Sequence, residues 1–205
     1  MEVINCIQGS PEWFAERLGK LTGSEAQAIS ANGAGLKTLV NKLVAERLTG
    51  KTENGYTNAD MERGKELEDE ARNAYELETG NTVTKVGFCK LDDDVGSSPD
   101  GLINDDGGIE IKCFKDSSFV DYMFTGKVDT AYEWQCQFNL FVTGRKFWDY
   151  VVYNPNFKKS LIIKRLDRDE VAIEKIKAGI ETGKAMIKTM MEKLKWKHIT
   201  LILMQ

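Results

Sequence analysis

The segment SSPDGLINDDGGIEIKC, residues 97–113, constrains the fold more than any other part of the chain. Two isoleucines alternate with Glu110 and Lys112 near its end, which is the period of a β-strand with one apolar face. The run NDDGG before them has the composition of a turn, so the chain can return and bring Asp100 beside Glu110. We therefore expect a hairpin in which Glu110 and Lys112 project from the same face.

This acidic hairpin permits two interpretations. Two carboxylates that are held close together repel each other and require a cation, and Mg²⁺ prefers oxygen ligands. A lysine beside such an ion could orient an attacking water and stabilise charge that develops at phosphorus. However, Asp, Glu and Lys are common residues and turns attract Asp, so a solvated surface hairpin explains the same pattern. A further ligand could come from the acidic residues of an upstream helix, which are Glu66, Glu68, Asp69 and Glu70.

The remaining periodicity predicts an α/β (α+β) fold, with a central mixed β-sheet flanked by helices, in one domain over residues 1–205. Ser10 followed by Pro11 indicates the start of a short helix, and Thr22 or Ser24 can cap a second one. Further helices are predicted in GLKTLVNKLVAERLTG, ADMERGKELEDEARNAYELETG, TAYEWQCQFNLFVTG and DEVAIEKIKAGIETGKAMIKTMMEKLKW. Strands are predicted in TVTKVGFCKL, VGSSPDGLI, GGIEIKCF, KFWDYVVYNP and KSLIIKRL. The apolar tail KWKHITLILMQ is expected either to pack on a neighbouring subunit or to form a terminal strand.

Composition narrows the classes of function. The chain has a net charge of −4, which argues against a general nucleic-acid coat protein but not against a nuclease. The chain has a single histidine, His198, which argues against histidine-based catalysis and against histidine-rich metal sites. The sequence contains no apolar run long enough to span a bilayer and no signal-peptide pattern, so a cytoplasmic location is expected. Four scattered cysteines are expected to be buried reduced thiols rather than zinc or iron–sulfur ligands, namely Cys6, Cys89, Cys113 and Cys136.

Five blocks of the sequence, taken in order, resemble one family. SPDG followed by GIEIKC resembles the core of the PD-(D/E)XK nucleases, and the chain is most similar to the phage lambda exonuclease and YqaJ-type viral recombinases among them. QGSPEWFAERLGKLTGSE resembles the N-terminal block of that family, ERGKELEDEARNAYELETG its GKxxE helix, AYEWQCQFNLFVTG its YxxQxQ helix, and FWDYVVYNP the strand that follows. The resemblance implies a restriction-endonuclease-like PD-(D/E)XK core.

The resemblance also implies roles for individual residues. Asp100 and Glu110, with the carbonyl of Ile111, would bind a catalytic Mg²⁺, and Glu68 would help to bind a second one; Mn²⁺ would substitute. Lys112 would position or activate the water, and Gln135 would line the site. The terminal 5′-phosphate would be held by Arg17 and Ser24, whose guanidinium and hydroxyl suit an anion. On the residues alone, a surface position on a helix is the better explanation of Arg17, and Trp13 fits core packing at least as well as base stacking.

The implied function is a Mg²⁺-dependent 5′→3′ exonuclease that digests one strand of double-stranded DNA for phage-type recombination. The resemblance implies a ring-shaped homotrimer and a phage single-strand annealing protein as its partner, in the cytoplasm of a bacterial host. Two alternatives stay open on the sequence. One is a structure-specific or restriction-like endonuclease on the same core, and the other is a non-catalytic DNA-binding module.

Overall fold

The computed structural model describes residues 1–52 and 59–203, with side chains for all of these except 59–62, 65 and 195–203. Seven α-helices occur in this part: α1 (Pro11–Arg17), α2 (Ala26–Ala31), α3 (Ala34–Thr49), α4 (Ala59–Thr79), α5 (Asp116–Thr125), α6 (Thr130–Thr143) and α7 (Glu170–Leu203). The same part contains nine strands: β1 (Glu2–Ile4), β2 (Leu21–Thr22), β3 (Val83–Thr84), β4 (Phe88–Lys90), β5 (Val95–Ser97), β6 (Gly101–Ile103), β7 (Gly107–Cys113), β8 (Phe147–Tyr153) and β9 (Leu161–Asp167).

The strands form two mixed sheets. A four-stranded sheet has the order β1-β4-β5-β2, and a five-stranded sheet has the order β3-β6-β7-β8-β9. In the larger sheet, β7 pairs antiparallel with β6 and parallel with β8. The expected mixed sheet flanked by helices is therefore confirmed, and a second, smaller sheet is added to it.

Strand β7 lies between two layers of helix. Its isoleucines pack with Ala71 and Tyr75 of α4 in one cluster of buried side chains. Its other face is turned towards α6, whose Gln135 bonds to Glu110. The alternation predicted from the sequence is thus realised, with one face of β7 serving the core and the other free for polar side chains.

Several local predictions are confirmed. The side chain of Ser10 accepts a hydrogen bond from the backbone nitrogen of Trp13 and so caps α1. The predicted helices on either side of the acidic hairpin correspond to α4 and α6. A turn connects β6 to β7, and Asn104 within it adopts a left-handed conformation (φ 44°), which asparagine tolerates better than most residues.

Two predicted strands are wrong in extent, because each one is divided between the two sheets. TVTKVGFCKL forms β3 and β4, and the break falls near Gly87, where a Cβ atom would collide with Cys6. VGSSPDGLI forms β5 and β6, with Pro99 in the break. Proline lacks the N–H that a continuous ladder requires. The chain therefore crosses from one sheet to the other immediately before Asp100.

Other differences concern helices and thiols. Neither Thr22 nor Ser24 caps a helix directly; a short 3-10 turn over Gly23–Glu25 leads into α2 instead. Helix α5 was not predicted, and the C-terminal tail continues α7 as far as Leu203 rather than forming a strand. All four cysteines are free, but Cys6 and Cys113 are only partly buried.

Within the described ranges, no helix has the length and apolar character needed to cross a membrane.

Candidate active site

Glu110 is at the centre of the site and is 1% exposed. Its Oε1 atom accepts hydrogen bonds from Lys112 Nζ at 2.6 Å and from Gln135 Nε2 at 2.7 Å. Its Oε2 atom is buried and has no hydrogen-bond partner among the described residues. A buried carboxylate oxygen of this kind is normally satisfied, so Oε2 is a free ligand position.

Asp100 reaches the same strand from the start of β6. Its Oδ2 atom accepts a hydrogen bond from the backbone nitrogen of Ile111 at 2.7 Å. The hairpin therefore brings Asp100 to the residue that separates Glu110 from Lys112, as the sequence predicts. This contact excludes the solvated hairpin, because Glu110 is enclosed and Asp100 is fixed to the strand.

Glu68 and Arg72 lie one turn apart on α4. Arg72 Nη2 donates to Glu68 Oε1 at 2.5 Å and to the backbone carbonyl of Asp100 at 3.2 Å. Arg72 also pairs with Asp69, which pairs in turn with Lys85. Of the four acidic residues considered on this helix, Glu68 is the one that lines the same cavity as Asp100 and Glu110; Glu70 instead accepts from the hydroxyl of Tyr153 at 2.6 Å. Arg72 thus connects α4 to Asp100.

Helix α6 supplies the opposite wall. Tyr132, Gln135 and Asn139 are three and four residues apart and all line the same cavity. The ammonium of Lys112 lies 4.7 Å from the ring centroid of Tyr132, a cation–π distance. Gln137 faces elsewhere and donates to the carbonyl of Asp167 at 2.8 Å. Of these two glutamines, Gln135 is the one that lines the cavity.

Arg17 and Ser24 come together at one end of the cavity. Arg17 Nη2 lies 3.3 Å from Ser24 Oγ, and Nη1 donates to Ser98 Oγ at 3.0 Å. The guanidinium lies 4.5 Å from the ring centroid of Trp13, whose Nε1 also donates to Ser98 at 2.9 Å. Trp13 is therefore a half-buried support for Arg17. Ser98 joins a cluster of donors and acceptors suited to an anion.

A cavity of about 620 Å³ connects these groups. Its lining includes Arg17, Ser24, Glu110, Lys112 and Phe114. A second cavity of about 700 Å³ adjoins it, and the two share the residues Gln8, Trp13, Glu68 and Asp100. The carboxylates therefore lie where two clefts meet, which gives a chain-like substrate room on both sides.

Burial shapes the electrostatics of the site. Desolvation raises the pKa of Glu110 to about 7, against the opposing effect of Lys112, and the neighbouring Asp100 raises it further. Desolvation likewise raises the pKa of Asp100, and burial followed by the charge of Asp100 raises the pKa of Glu68. Burial alone would lower the pKa of Lys112, but Glu110 and Asp100 outweigh it and raise the pKa above its ordinary value. The site therefore holds a charged lysine among carboxylates that resist ionisation.

These carboxylates fit a divalent cation in part. The Oε2 atom of Glu110 has no partner among the described residues, and burial raises the pKa of all three acids, so a cation beside them would favour their charged forms. Yet in the part of the chain that the structure describes, no group of three or more acidic, histidine or cysteine side chains is arranged to hold a metal. Glu68 turns to Arg72 instead, and Asp100 binds Ile111. The donor set suits Mg²⁺, and Glu110 offers it a buried oxygen with no partner among the described residues.

Sequence reasoning missed four polar side chains that the structure adds to the site: Arg72, Ser98, Tyr132 and Asn139. For Arg72 and Tyr132 a local signal existed. Arg72 follows Glu68 by four residues, and Tyr132 precedes Gln135 by three, so each shares a helix face with a predicted residue. Asn139 follows Gln135 by four residues and carried the same signal, whereas the placement of Ser98 depends on the packing of the two sheets, which local periodicity does not reveal.

The sequence matches the model of the YqaJ-like viral recombinase domain over residues 12–146, a range that contains every predicted site residue. The structure is similar to that of an alkaline exonuclease from Laribacter hongkongensis, with 36% identity and a TM-score of 0.87, covering 94% of this chain and 100% of that one. The complex of that exonuclease with dAMP matches over the same coverage, with 36% identity and a TM-score of 0.86. A phage-related exonuclease from Haemophilus somnus 129PT has 16% identity and a TM-score of 0.65, over 85% of this chain and 96% of that one, and so shares the fold alone. No curated protein sequence matches the chain.

Proposed function

Because the chain belongs to the YqaJ-like viral recombinase family, we propose that it is a Mg²⁺-dependent 5′→3′ exonuclease acting on linear double-stranded DNA. It would digest one strand from a 5′-phosphorylated end and leave a 3′ single-stranded overhang. The family and the likeness to an alkaline exonuclease support a nuclease that acts on DNA. The observation that carries the finer proposal is buried Glu110, held by Lys112 and Gln135 through one oxygen and free at the other.

Mg²⁺ would be held by Asp100, by Glu110 and by the carbonyl of Ile111, with Glu68 contributing to a second ion. These are hard oxygen donors of the kind that Mg²⁺ prefers, and Mn²⁺ would substitute for it. The bound ions would neutralise the scissile phosphate and lower the pKa of water near it. Glu68 could contribute only if it exchanged part of its contact with Arg72.

The protein's own side chains would organise the reactants. Lys112 is charged, enclosed between Glu110 and the ring of Tyr132, and lies at the cavity wall. There it would hold an attacking water and stabilise negative charge as it develops on the phosphate. Gln135 would keep Glu110 in one orientation, because its amide fixes Oε1 and leaves Oε2 towards the ligand.

Selection of the DNA end would come from Arg17 and Ser24. A planar guanidinium that is supported by Trp13 and flanked by hydroxyls can bind a terminal phosphate through more than one hydrogen bond. These groups line the same cavity as the carboxylates. A terminal phosphate bound there would place the following phosphodiester towards Glu110, so that cleavage releases the terminal nucleotide.

We propose that the active form is a homotrimeric ring around DNA and that it works with a phage single-strand annealing protein. Both proposals are what the resemblance to phage lambda exonuclease and the YqaJ-type recombinases implies. The exposed side chains of Val120, Met123 and Phe124 on α5 offer an apolar surface that contact between subunits could cover. Light scattering of the purified protein tests the ring, and a monomer at all concentrations would contradict it.

A digestion assay tests the proposed function. Linear duplexes with a 5′-phosphate or a 5′-hydroxyl, and a covalently closed circle, are incubated with MgCl₂ or with EDTA. We expect rapid release of nucleotides from the 5′-phosphorylated duplex, slower release from the 5′-hydroxyl duplex, and none with EDTA. Cleavage of the closed circle would favour the endonuclease alternative, and binding without cleavage would favour a DNA-binding module.

A further inference from the structure

Asn139 is a buried side chain of α6 whose amide nitrogen is unused. It is 1% exposed, and its Nδ2 atom has no hydrogen-bond partner within the described residues. Buried amide groups are almost always satisfied, and an unsatisfied one calls for an explanation. Asn139 lines the same cavity as Arg17 and Glu110, so this unpartnered amide belongs to a side chain that borders the site.

Gly23 lies directly against Asn139. A Cβ atom at Gly23 would lie 3.0 Å from Asn139 Oδ1 and 3.6 Å from Gln135 Cγ, so glycine is what lets this loop approach α6 closely. The next residue is Ser24, which lies against the guanidinium of Arg17. Asn139 is therefore placed beside the Arg17 and Ser24 cluster, on the opposite wall of the cavity.

The position of Asn139 along α6 is the second observation. Gln135 contacts Glu110, where the reacting phosphodiester would lie, and Asn139 is one helical turn further on. Four residues of helix rise about 6 Å, a distance comparable to the separation of consecutive phosphates along a strand. One face of α6 thus presents one amide at the catalytic carboxylate and another at the cluster expected to receive the terminal phosphate.

We propose that Asn139 donates its free N–H to the terminal 5′-phosphate and, with Gln135, sets a one-nucleotide spacing between that phosphate and the scissile bond. This inference rests on the proposed function. In this inference Asn139 contacts the substrate, and α6 determines the length of the released product. The free nitrogen is a neutral donor. It can bind a phosphate oxygen while the guanidinium of Arg17 supplies the positive charge.

The test compares wild type with Asn139→Leu, a variant of similar shape that lacks the amide, and with Asn139→Ala. Rates are measured on 5′-phosphorylated and 5′-hydroxyl duplexes, and products are separated by length. We expect the variants to lose about tenfold or more of the wild-type preference for the 5′-phosphate, the effect of one hydrogen bond to a charged group. Rates on the 5′-hydroxyl duplex should change little, and dinucleotides should appear among the products.

Thermal unfolding separates this role from a structural one. Removing a buried donor without a partner should leave the unfolding temperature of Asn139→Leu unchanged or raised. Asn154→Ser is the matched control: Asn154 is equally buried, but its amide already donates to the carbonyl of Phe114 at 3.0 Å and to Asp116 at 2.9 Å. That variant should lose stability and keep the preference for 5′-phosphate.

The outcomes of this test distinguish failure of the Asn139 contact from failure of the proposed end selection. A wild-type preference for the 5′-phosphate that survives both substitutions of Asn139 would overturn this inference and leave the proposed function standing. Equal loss of rate on the two duplexes would also overturn it, since the contact would then not be with the terminal phosphate. A wild-type protein indifferent to the 5′ end would overturn the proposed end selection, and this inference with it.

Discussion

Gln135 and Glu110, which are 25 residues apart in sequence, meet through an Nε2 to Oε1 hydrogen bond of 2.7 Å. The same oxygen is bound by Lys112 at 2.6 Å. Two donors on one carboxylate oxygen fix its orientation and leave the other oxygen free.

Replacing Lys112 by methionine should abolish digestion while leaving DNA binding intact. The substitution keeps an apolar stem of similar length and removes the ammonium that would stabilise charge at phosphorus, so we expect a loss of roughly a hundredfold or more. Digestion rate and filter binding of DNA measure the two effects. Lys146→Met is the control, because Lys146 pairs only with exposed Asp106 in the described structure. Undiminished digestion by Lys112→Met would remove Lys112 from the mechanism.

Replacing Gln135 by leucine should lower the digestion rate by about tenfold or more, because Glu110 loses the donor that orients it. Gln137→Leu is a matched control on the same helix, since Gln137 bonds to the loop before α7 and not to the site. Its unfolding temperature should fall slightly, whereas its digestion rate per folded molecule should be that of wild type. Similar rates for the two variants would show that Gln135 has no special role.

The raised pKa of Glu110 predicts that the stability of the protein depends on pH. Its folded-state pKa is raised to about 7, mainly by desolvation, from an ordinary value of 4.5. The folded protein therefore binds this proton more readily than the unfolded chain, so the contribution to stability is present below pH 4.5 and is lost as pH rises through about 7. Without divalent cations, the unfolding temperature of wild type should therefore fall relative to that of Glu110→Gln as the pH rises from 4.5 to about 7.

Unfolding scans in EDTA and in MgCl₂ at a series of pH values provide the measurement. Because protons and Mg²⁺ would compete for Glu110, MgCl₂ should raise the unfolding temperature of wild type more at pH 8 than at pH 6. Glu110→Gln should show little of this stabilisation. A stabilisation by MgCl₂ that is equal in wild type and variant would place the cation elsewhere.

Arg72→Ala should both destabilise the protein and raise the Mg²⁺ concentration needed for digestion. The guanidinium is 6% exposed and joins Glu68 to the backbone of Asp100, but its other partner, Asp69, is largely exposed. We therefore expect a loss of about 2 kcal/mol in the free energy of unfolding, below the value for a fully buried pair. Asp69→Asn removes only the exposed partner and should change neither quantity appreciably. If Arg72→Ala changes stability alone, Arg72 does not position the carboxylates.

The part of the site that depends on local pattern was predictable. Alternation on β7 predicted that Glu110 and Lys112 share a face, and the turn after Asp100 predicted its return to that strand. The contact of Arg17 with Ser98, by contrast, joins residues 81 apart that lie on α1 and between the two sheets. Such a contact depends on how the sheets pack, which residue periodicity does not encode.

The division of two predicted strands has the same origin. The runs that contain Gly87 and Pro99 have the composition of continuous strands, but Gly87 lies close against Cys6, Pro99 lacks a backbone N–H, and each run is divided between the two sheets near these residues. The resemblance to a family supplied Arg17, Ser24 and Gln135, which the residues alone could not single out. Asn139 became visible only when its neighbours were known.

The hydrogen bond from Ile111 to Asp100 bears on how a complex with DNA should be trapped for crystallography. Alanine at position 100 would inactivate the site but would also strand a backbone N–H of the central strand, so a failed crystal would be uninterpretable. Asparagine keeps an acceptor oxygen in the same place while removing the charge. Asp100→Asn is therefore the substitution with which to capture uncleaved DNA in an otherwise intact protein.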